Sequence, residues 1–188
     1  MPLAVLSSII APKQLQILAD LARNTPFGHF AEIGVFKGGS AFYLYKTALE
    51  RGNDLHLFDT FCGTPYHTAG LDRHQIDEEF SAKDTPRIIQ ELMPTAKLHI
   101  GTYPETHPVG LAAPEGLAFV HCDCDQYLSY KAVIEKMWPL LVSGGIMLFD
   151  DYPYLAGAKA AVEERFNFHS LRKAGERYYA IKPGLGYV

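Results

Sequence analysis

Five short, almost continuously apolar runs constrain this chain most: Phe30–Val35, Leu55–Phe58, Leu98–Ile100, Leu117–His121 and Ile146–Phe149. They show no alternation of polar and apolar residues, so both faces of each must be covered, as in a parallel sheet. Between them lie segments with helical spacing. Gln14–Arg23 places Leu15, Leu18, Leu21 and Ala22 on one stripe, and Ser40–Arg51, Pro86–Leu92 and Tyr130–Leu141 also read as helices. Gly157–Phe166 carries Ala158, Ala161, Val162 and Phe166 at the same spacing. Strands alternating with helices predict an open α/β sheet with right-handed crossovers. His169–Ile181 reads as two short β pieces about a charged turn at Lys173–Glu176, an antiparallel hairpin at the sheet edge. The polar stretch Cys62–Thr85, with Gly63, Pro65 and Gly70, reads as a functional or mobile loop.

A chain of 188 residues fits one domain with a full core. Its 17 Lys and Arg against 21 Asp and Glu leave a net charge of −4. That balance argues against a nucleic-acid partner, which needs a basic footprint, and against anionic membrane surfaces. No run reaches the length of a transmembrane helix. The apolar N-terminus has no Lys or Arg before its apolar stretch and no small-x-small cleavage site, so it is not read as a signal peptide. The cysteines Cys62, Cys122 and Cys124 form no CxxC pair, which excludes a disulfide framework or zinc knuckle and makes a reducing cytoplasm the default expectation.

Ligands of such sheets bind outside the carboxyl ends of the strands. The first run ends in Glu32-Ile-Gly34-Val-Phe36-Lys-Gly38-Gly39-Ser40, a glycine turn into a helix that is not GxGxxG. Glu32 would repel a pyrophosphate, whereas S-adenosylmethionine carries an ammonium and a sulfonium and suits it better. A purely structural glycine turn is the alternative. The second run ends at Asp59, 27 residues after Glu32, where a carboxylate can accept both hydroxyls of a ribose; a loop or cap aspartate is the alternative. The third ends in Gly101-Thr102, where backbone can approach an adenine.

The fourth and fifth runs end in His121-Cys122-Asp123-Cys124-Asp125 and Asp150-Asp151-Tyr152. If these strands are neighbours, four carboxylates converge, and they repel one another unless a cation intervenes. Oxygen donors suit Mg²⁺, Ca²⁺ or Mn²⁺. Alternatively, Asp150 and Asp151 cap the next helix. Cys122 and Cys124 share the strand face opposite Asp123 and read as packing residues, and His121 as a satisfied structural group.

In order along the chain, Phe30–Ser40, Leu57-Phe-Asp-Thr-Phe61, His121–Tyr127 and Pro139–Tyr152 resemble the macrocin O-methyltransferase (TylF/MycF-type) family of class I S-adenosylmethionine-dependent methyltransferases. The likeness runs from about Phe27 to Lys182. It implies a Rossmann-like fold with a seven-stranded, mostly parallel sheet and an antiparallel C-terminal hairpin. The expected layout is one domain over residues 1–188, with a helical N-terminal segment (1–26) and a catalytic core (27–182). The resemblance also implies roles: Glu32, Gly34, Phe36, Gly38, Ser40, Asp59, Gly101, Thr102 and Asp123 at the cofactor, Asp123, Asp150 and Asp151 at a divalent cation, and Asp125 as general base. Asp59-Thr-Phe-Cys62-Gly63 departs from that family's DSFEG-like run.

The expected reaction is transfer of a methyl group from S-adenosylmethionine to a hydroxyl of a small molecule such as a sugar, assisted by Mg²⁺. Alternatives are a metal-independent N- or carboxyl-methyltransferase and a non-catalytic S-adenosylmethionine-binding protein. The expected partner is the small-molecule acceptor; a homo-oligomer is left open.

Overall fold

A computed structural model of the chain describes residues 6–184, with residues 77–79 described by backbone alone. In chain order the elements are α1 (Pro12–Arg23), β1 (His29–Ile33), α2 (Gly39–Arg51), β2 (Leu55–Asp59), β3 (Cys62–Thr64), β4 (Asp77–Ser81), α3 (Thr85–Leu92), β5 (Lys97–Ile100), β6 (Leu117–Cys122), α4 (Tyr127–Met137), β7 (Leu141–Phe149), α5 (Ala156–Arg165), β8 (Arg172–Ala174) and β9 (Arg177–Ile181). Seven strands form one sheet in the order β5-β2-β1-β6-β7-β9-β8. The first five are parallel, and β9 runs antiparallel to both β7 and β8. Chain direction across the sheet reverses between β1 and β6, so a crevice opens beyond their carboxyl ends.

The strands are apolar because both faces are covered. Every residue of β6 is buried. One face packs Leu15 and Leu18 of α1 and Leu44 of α2 on Phe30, Phe119 and Leu148. The other packs Val133 and Met137 of α4 and Val162 of α5 on Ala31, Val120 and Met147. Burying one such leucine or valine contributes roughly 1.5–3 kcal/mol. No helix among the described residues is long and apolar enough to cross a membrane.

Three elements differ from their sequence reading. β7 starts at Leu141 rather than Ile146, because Ser143-Gly144-Gly145 does not turn away from the sheet. The Gly144 amide donates to Lys182 O, and the Lys182 amide donates to Gly145 O, so pairing with the C-terminal strand continues. The segment Cys62–Thr85 is not an open loop: β3 and β4 pair as an antiparallel ribbon. It is also anchored to α4. The Tyr66 amide donates to Gln126 Oε1 (2.9 Å), and the Tyr127 amide donates to Asp72 Oδ1 (2.7 Å). Asp72 thus caps α4 from another part of the chain, which lets the helix begin three residues before Tyr130. Pro139 follows in a 3₁₀ turn, Trp138–Leu140, which ends it before Leu141.

Candidate active site

A cleft with about 1010 Å³ of open space, part of it continuous with solvent, occupies the crevice at the carboxyl ends of the strands. Its floor is Gly34, Asp59, Gly101, Asp123 and Asp150, from the ends of five strands. Gly34 has φ +89°, and a Cβ there would lie 1.6 Å from the Asp123 carbonyl oxygen. Only glycine lets β1 and β6 end this close together. Gly39 serves a different contact: a Cβ there would meet Ser8 Cβ at 2.4 Å. Residues Ser7–Ile10 lie over this turn as a strap and form one wall of the cleft.

Asp59 organises the turn from beneath. Its Oδ2 accepts the amides of Val35 (2.6 Å) and Phe36 (2.8 Å), and its Oδ1 accepts that of Phe61 (2.6 Å). A carboxylate oxygen has two lone pairs, so Oδ2 is filled and Oδ1 can take one more donor. Asp59 therefore lines the cleft but cannot grip a ribose diol with both oxygens, as its position alone predicts.

Strand register brings the acids together. Glu32 pairs with His121, and Phe149 pairs with both Cys122 and Tyr178. One step further along, Gly34, Asp123, Asp150 and Arg177 form a rung across four strands. His121 is fully buried, with Nδ1 2.8 Å from Glu32 Oε1 and Nε2 3.3 Å from Asp150 Oδ1. Arg177 Nε donates to the same Asp150 oxygen. Asp151 faces the other way, towards α4: its Oδ2 accepts from Tyr130 Oη (2.9 Å) and from the Asp125 amide (3.1 Å). Consecutive residues leaving a strand point to opposite faces, which separates Asp150 from Asp151.

These partners set the charges. Burial opposes charge on Asp150, but His121 and Arg177 overcome it and hold the carboxyl below the usual range. His121 is likewise penalised by burial, yet the hydrogen bonds that it donates to Asp150 and Glu32 raise its pKa to about 9. Burial pushes Asp151 up to about 8, with the charges of Asp125 and Asp150 adding to the rise and the Tyr130 hydroxyl opposing it. Asp123 is driven well above the carboxylate range by burial and then by Asp150, Asp151, Asp125 and Glu32. The cluster holds more carboxyl groups than Arg177 and His121 can balance, which is why Asp123 and Asp151 resist ionisation and why a bound cation would favour their charged forms.

Of the residues singled out from sequence, Gly34, Phe36, Ser40, Asp59, Gly101, Asp123, Asp125, Asp150 and Asp151 line the cleft together. Glu32, Gly38 and Thr102 do not. Glu32 is fully buried beneath the floor against His121, and a Cβ on Gly38 would meet the Leu6 side chain at 2.8 Å, so that glycine serves the strap. Cys122 lies in the core as expected, but Cys124 reaches the cleft wall. Sequence reasoning missed the strap, Tyr103 and Phe80 on the walls, Tyr130 behind Asp151 and Arg177 beside Asp150. The one available signal was the acid cluster itself, which requires a nearby cation.

Known proteins share this architecture. A 4'-O-methyltransferase of 8-demethyl-8-(2,3-dimethoxy-alpha-L-rhamnosyl)-tetracenomycin C from Streptomyces olivaceus is 27% identical over 150 residues, 70% of this chain. The chain spans about 55% of that relative's length. Among solved structures, the O-methyltransferase NovP superposes with a TM-score of 0.76 at 22% identity, covering 94% of this chain and 82% of NovP. The calicheamicin methyltransferase CalS11 gives 0.76 at 22%, covering 90% and 77%. TomG from Streptomyces achromogenes, solved with S-adenosylmethionine, gives 0.64 at 15%, covering 95% and 82%. Residues 31–152, which run from β1 through the acid rung, match the family described as "Methyltransferase domain". The chain belongs to that family of methyltransferase domains.

Proposed function

We propose that this protein transfers a methyl group from S-adenosylmethionine to a hydroxyl of a small molecule, a sugar or another natural-product acceptor, with a divalent cation at the acid cluster. The observation that carries this reading is that one cleft joins the glycine turn, Asp59 and the acidic rung. The similarity to the tetracenomycin-sugar O-methyltransferase supports the acceptor class.

Gly34, Phe36 and Ser40 would bind the methionine end of the cofactor, and Gly101 the adenine side. Asp59 holds this wall in shape and offers one acceptor position to the ribose. The donors that converge at the rung fit a divalent cation: one ligand atom each from Asp123, Asp150 and His121 lies within 4.8 Å of the others. Asp123 and Asp150 would hold it, and the family resemblance adds Asp151. A cation there supplies Lewis acidity, which lowers the pKa of a nearby hydroxyl.

Asp125 takes the hydroxyl proton on its carboxylate. Its backbone is left-handed (φ +57°), and its amide is fixed by Asp151, so the side chain is presented at the cleft. A carbon–oxygen bond forms, the carbon–sulfur bond breaks, and S-adenosylhomocysteine is left. Ser7–Ile10 and the β3–β4 ribbon wall off the cleft, and positioning of the two reactants provides much of the rate.

The test is formation of S-adenosylhomocysteine from S-adenosylmethionine across a panel of glycosides and phenols, with Mg²⁺ or Mn²⁺ and with chelator. Cation-dependent product with a hydroxyl acceptor supports the reading. Full activity in chelator removes the cation from it, and methylation of amines or carboxylates alone replaces the acceptor class.

A further inference from the structure

We propose that Tyr66 and Gln126 are positioning residues for methyl transfer: they form a strut across the crevice that holds the loop bearing Asp125 in a fixed place relative to the cofactor side. The proposal rests on the reading of the cleft as a methyl-transfer site in which Asp125 takes the proton.

At one end of the strut the Gln126 side chain grips the backbone of Tyr66 twice. Its Oε1 accepts the Tyr66 amide (2.9 Å), and its Nε2 donates to the Tyr66 carbonyl oxygen. At the other end the Tyr66 hydroxyl donates to the Tyr103 carbonyl oxygen (3.2 Å). Tyr103 follows β5 and Gln126 follows β6. Those strands are three places apart in the sheet, roughly 14 Å at ordinary strand spacing. One tyrosine and one glutamine thus join the two sides of the crevice. Thr64 and Pro65, just before Tyr66, and Tyr103 itself all line the cleft.

Gln126 is an unusual residue for its place. It is the N-cap of α4, where a short side chain ordinarily accepts one of the first helical amides. The Gln126 side chain makes no such bond. Asp72 accepts the Tyr127 amide instead, and Gln126, only 1% exposed, turns to Tyr66. Burying a long amide costs rotamer freedom and desolvation, and here both of its polar atoms are satisfied by one residue of another segment.

The consequence falls on Asp125. Its backbone is left-handed (φ +57°), a conformation uncommon for a residue with a Cβ. Its amide donates to Asp151 Oδ2 (3.1 Å), and the next amide, of Gln126, closes back on the Cys124 carbonyl oxygen. Asp125 is therefore set between two fixed points. Asp151 ties it to the end of β7, and the Gln126–Tyr66 pair ties it to the wall that carries Gly101 and Tyr103. A displacement of about 1 Å between reacting groups is enough to lower a rate on the order of a hundredfold.

The experiment combines steady-state kinetics, with a hydroxyl acceptor from the panel of glycosides and phenols, and calorimetry with S-adenosylhomocysteine. The variants are Tyr66→Phe, Gln126→Leu and the two combined. The expected result is a fall in kcat of about tenfold or more in each, with KM for S-adenosylmethionine and affinity for S-adenosylhomocysteine within about threefold of wild type. The double variant should stay within about threefold of Gln126→Leu alone, because a strut released at one end carries nothing at the other. Unchanged kcat in Tyr66→Phe, or losses that multiply in the double variant, overturns the strut. A fall in kcat matched by an equal loss of S-adenosylhomocysteine affinity also overturns it and assigns the two residues to cofactor binding. If Gln126→Leu does not fold, Tyr66→Phe decides alone, since it keeps the ring and loses one hydroxyl. Binding of S-adenosylhomocysteine to the wild type without methylation of any hydroxyl in the panel would overturn the reading of the reaction, and this proposal with it.

Discussion

Asp59 Oδ2 lies 2.6 Å from the Val35 amide, so the carboxylate at the end of β2 fastens the turn that leaves β1. Two further amides, of Phe36 and Phe61, complete its partners. Asp59→Asn exchanges one acceptor oxygen for a donor facing these N–H groups. It should destabilise the fold by about 2–3 kcal/mol, the scale of a hydrogen bond to a charged group, and also weaken S-adenosylhomocysteine binding. Thermal unfolding and calorimetry on the same samples check both. Weaker ligand binding at unchanged stability would mean that the carboxylate serves the ligand alone.

Asp72 links the β3–β4 segment to α4. Its Oδ2 accepts the Thr68 amide at 2.6 Å, and its Oδ1 accepts the Tyr127 amide at 2.7 Å. The side chain of Gln126, at the N-cap, makes no cap hydrogen bond. Asp72→Ala should cost about 1 kcal/mol, as loss of a helix cap does, and speed proteolysis within residues 62–85. Gly157→Ala should act similarly, since a Cβ there would lie 2.3 Å from Asp72 Oδ1. Limited proteolysis followed by mass spectrometry reads the outcome, and unchanged cleavage in both variants would show that this anchor does not order the segment.

Far from the cleft, His56 Nδ1 faces His99 Nε2 at 3.1 Å, with the rings within 4° of parallel. Burial, then the neighbouring His99 and Lys97 charges, lowers the His56 pKa to about 4. Between that value and 6.5 the unfolded chain binds the extra proton and the folded chain does not. Stability from this site is therefore complete above about pH 6.5 and is lost as pH falls towards 4. The loss between pH 7 and 5 should be on the order of 1–2 kcal/mol. The lowered pKa of Asp54 acts below this window, and that of His99 acts in the same direction. The raised carboxyls Asp123 and Asp151 act in the opposite direction in both proteins. On going from pH 7 to 5 the wild type should therefore lose about 1–2 kcal/mol more, or gain that much less, than His56→Leu in urea unfolding, and an identical change in the two would move this pH dependence elsewhere.

The sheet was legible because buried parallel strands need unbroken apolar runs, and Phe30–Val35 or Leu117–His121 have no other use. The glycine turn and the two acid pairs were legible because their place after a strand says where the side chains must be. What each residue does there was less so. Glu32 and Asp59 sit where cofactor contacts are expected, yet one holds His121 and the other holds backbone amides. Their partners His121, Val35 and Phe36 lie 23 to 89 residues away, which local pattern does not encode. Arg177 meets Asp150 only because β9 returns antiparallel to β7. The apolar run Ile146–Phe149 marks only the end of β7, because the Lys182 backbone pairs with Gly144 and Gly145 and the strand reaches back to Leu141.

Calorimetric titration of S-adenosylhomocysteine, with NAD in parallel, reads which ligand this cleft is built to hold. One cleft combines a non-dinucleotide glycine turn, a carboxylate with a single remaining acceptor position and a floor rich in acids. Such a site should bind S-adenosylhomocysteine saturably at one site per chain, in competition with S-adenosylmethionine, and should not bind the anionic pyrophosphate of NAD. Tight NAD binding with no heat from S-adenosylhomocysteine would contradict the account.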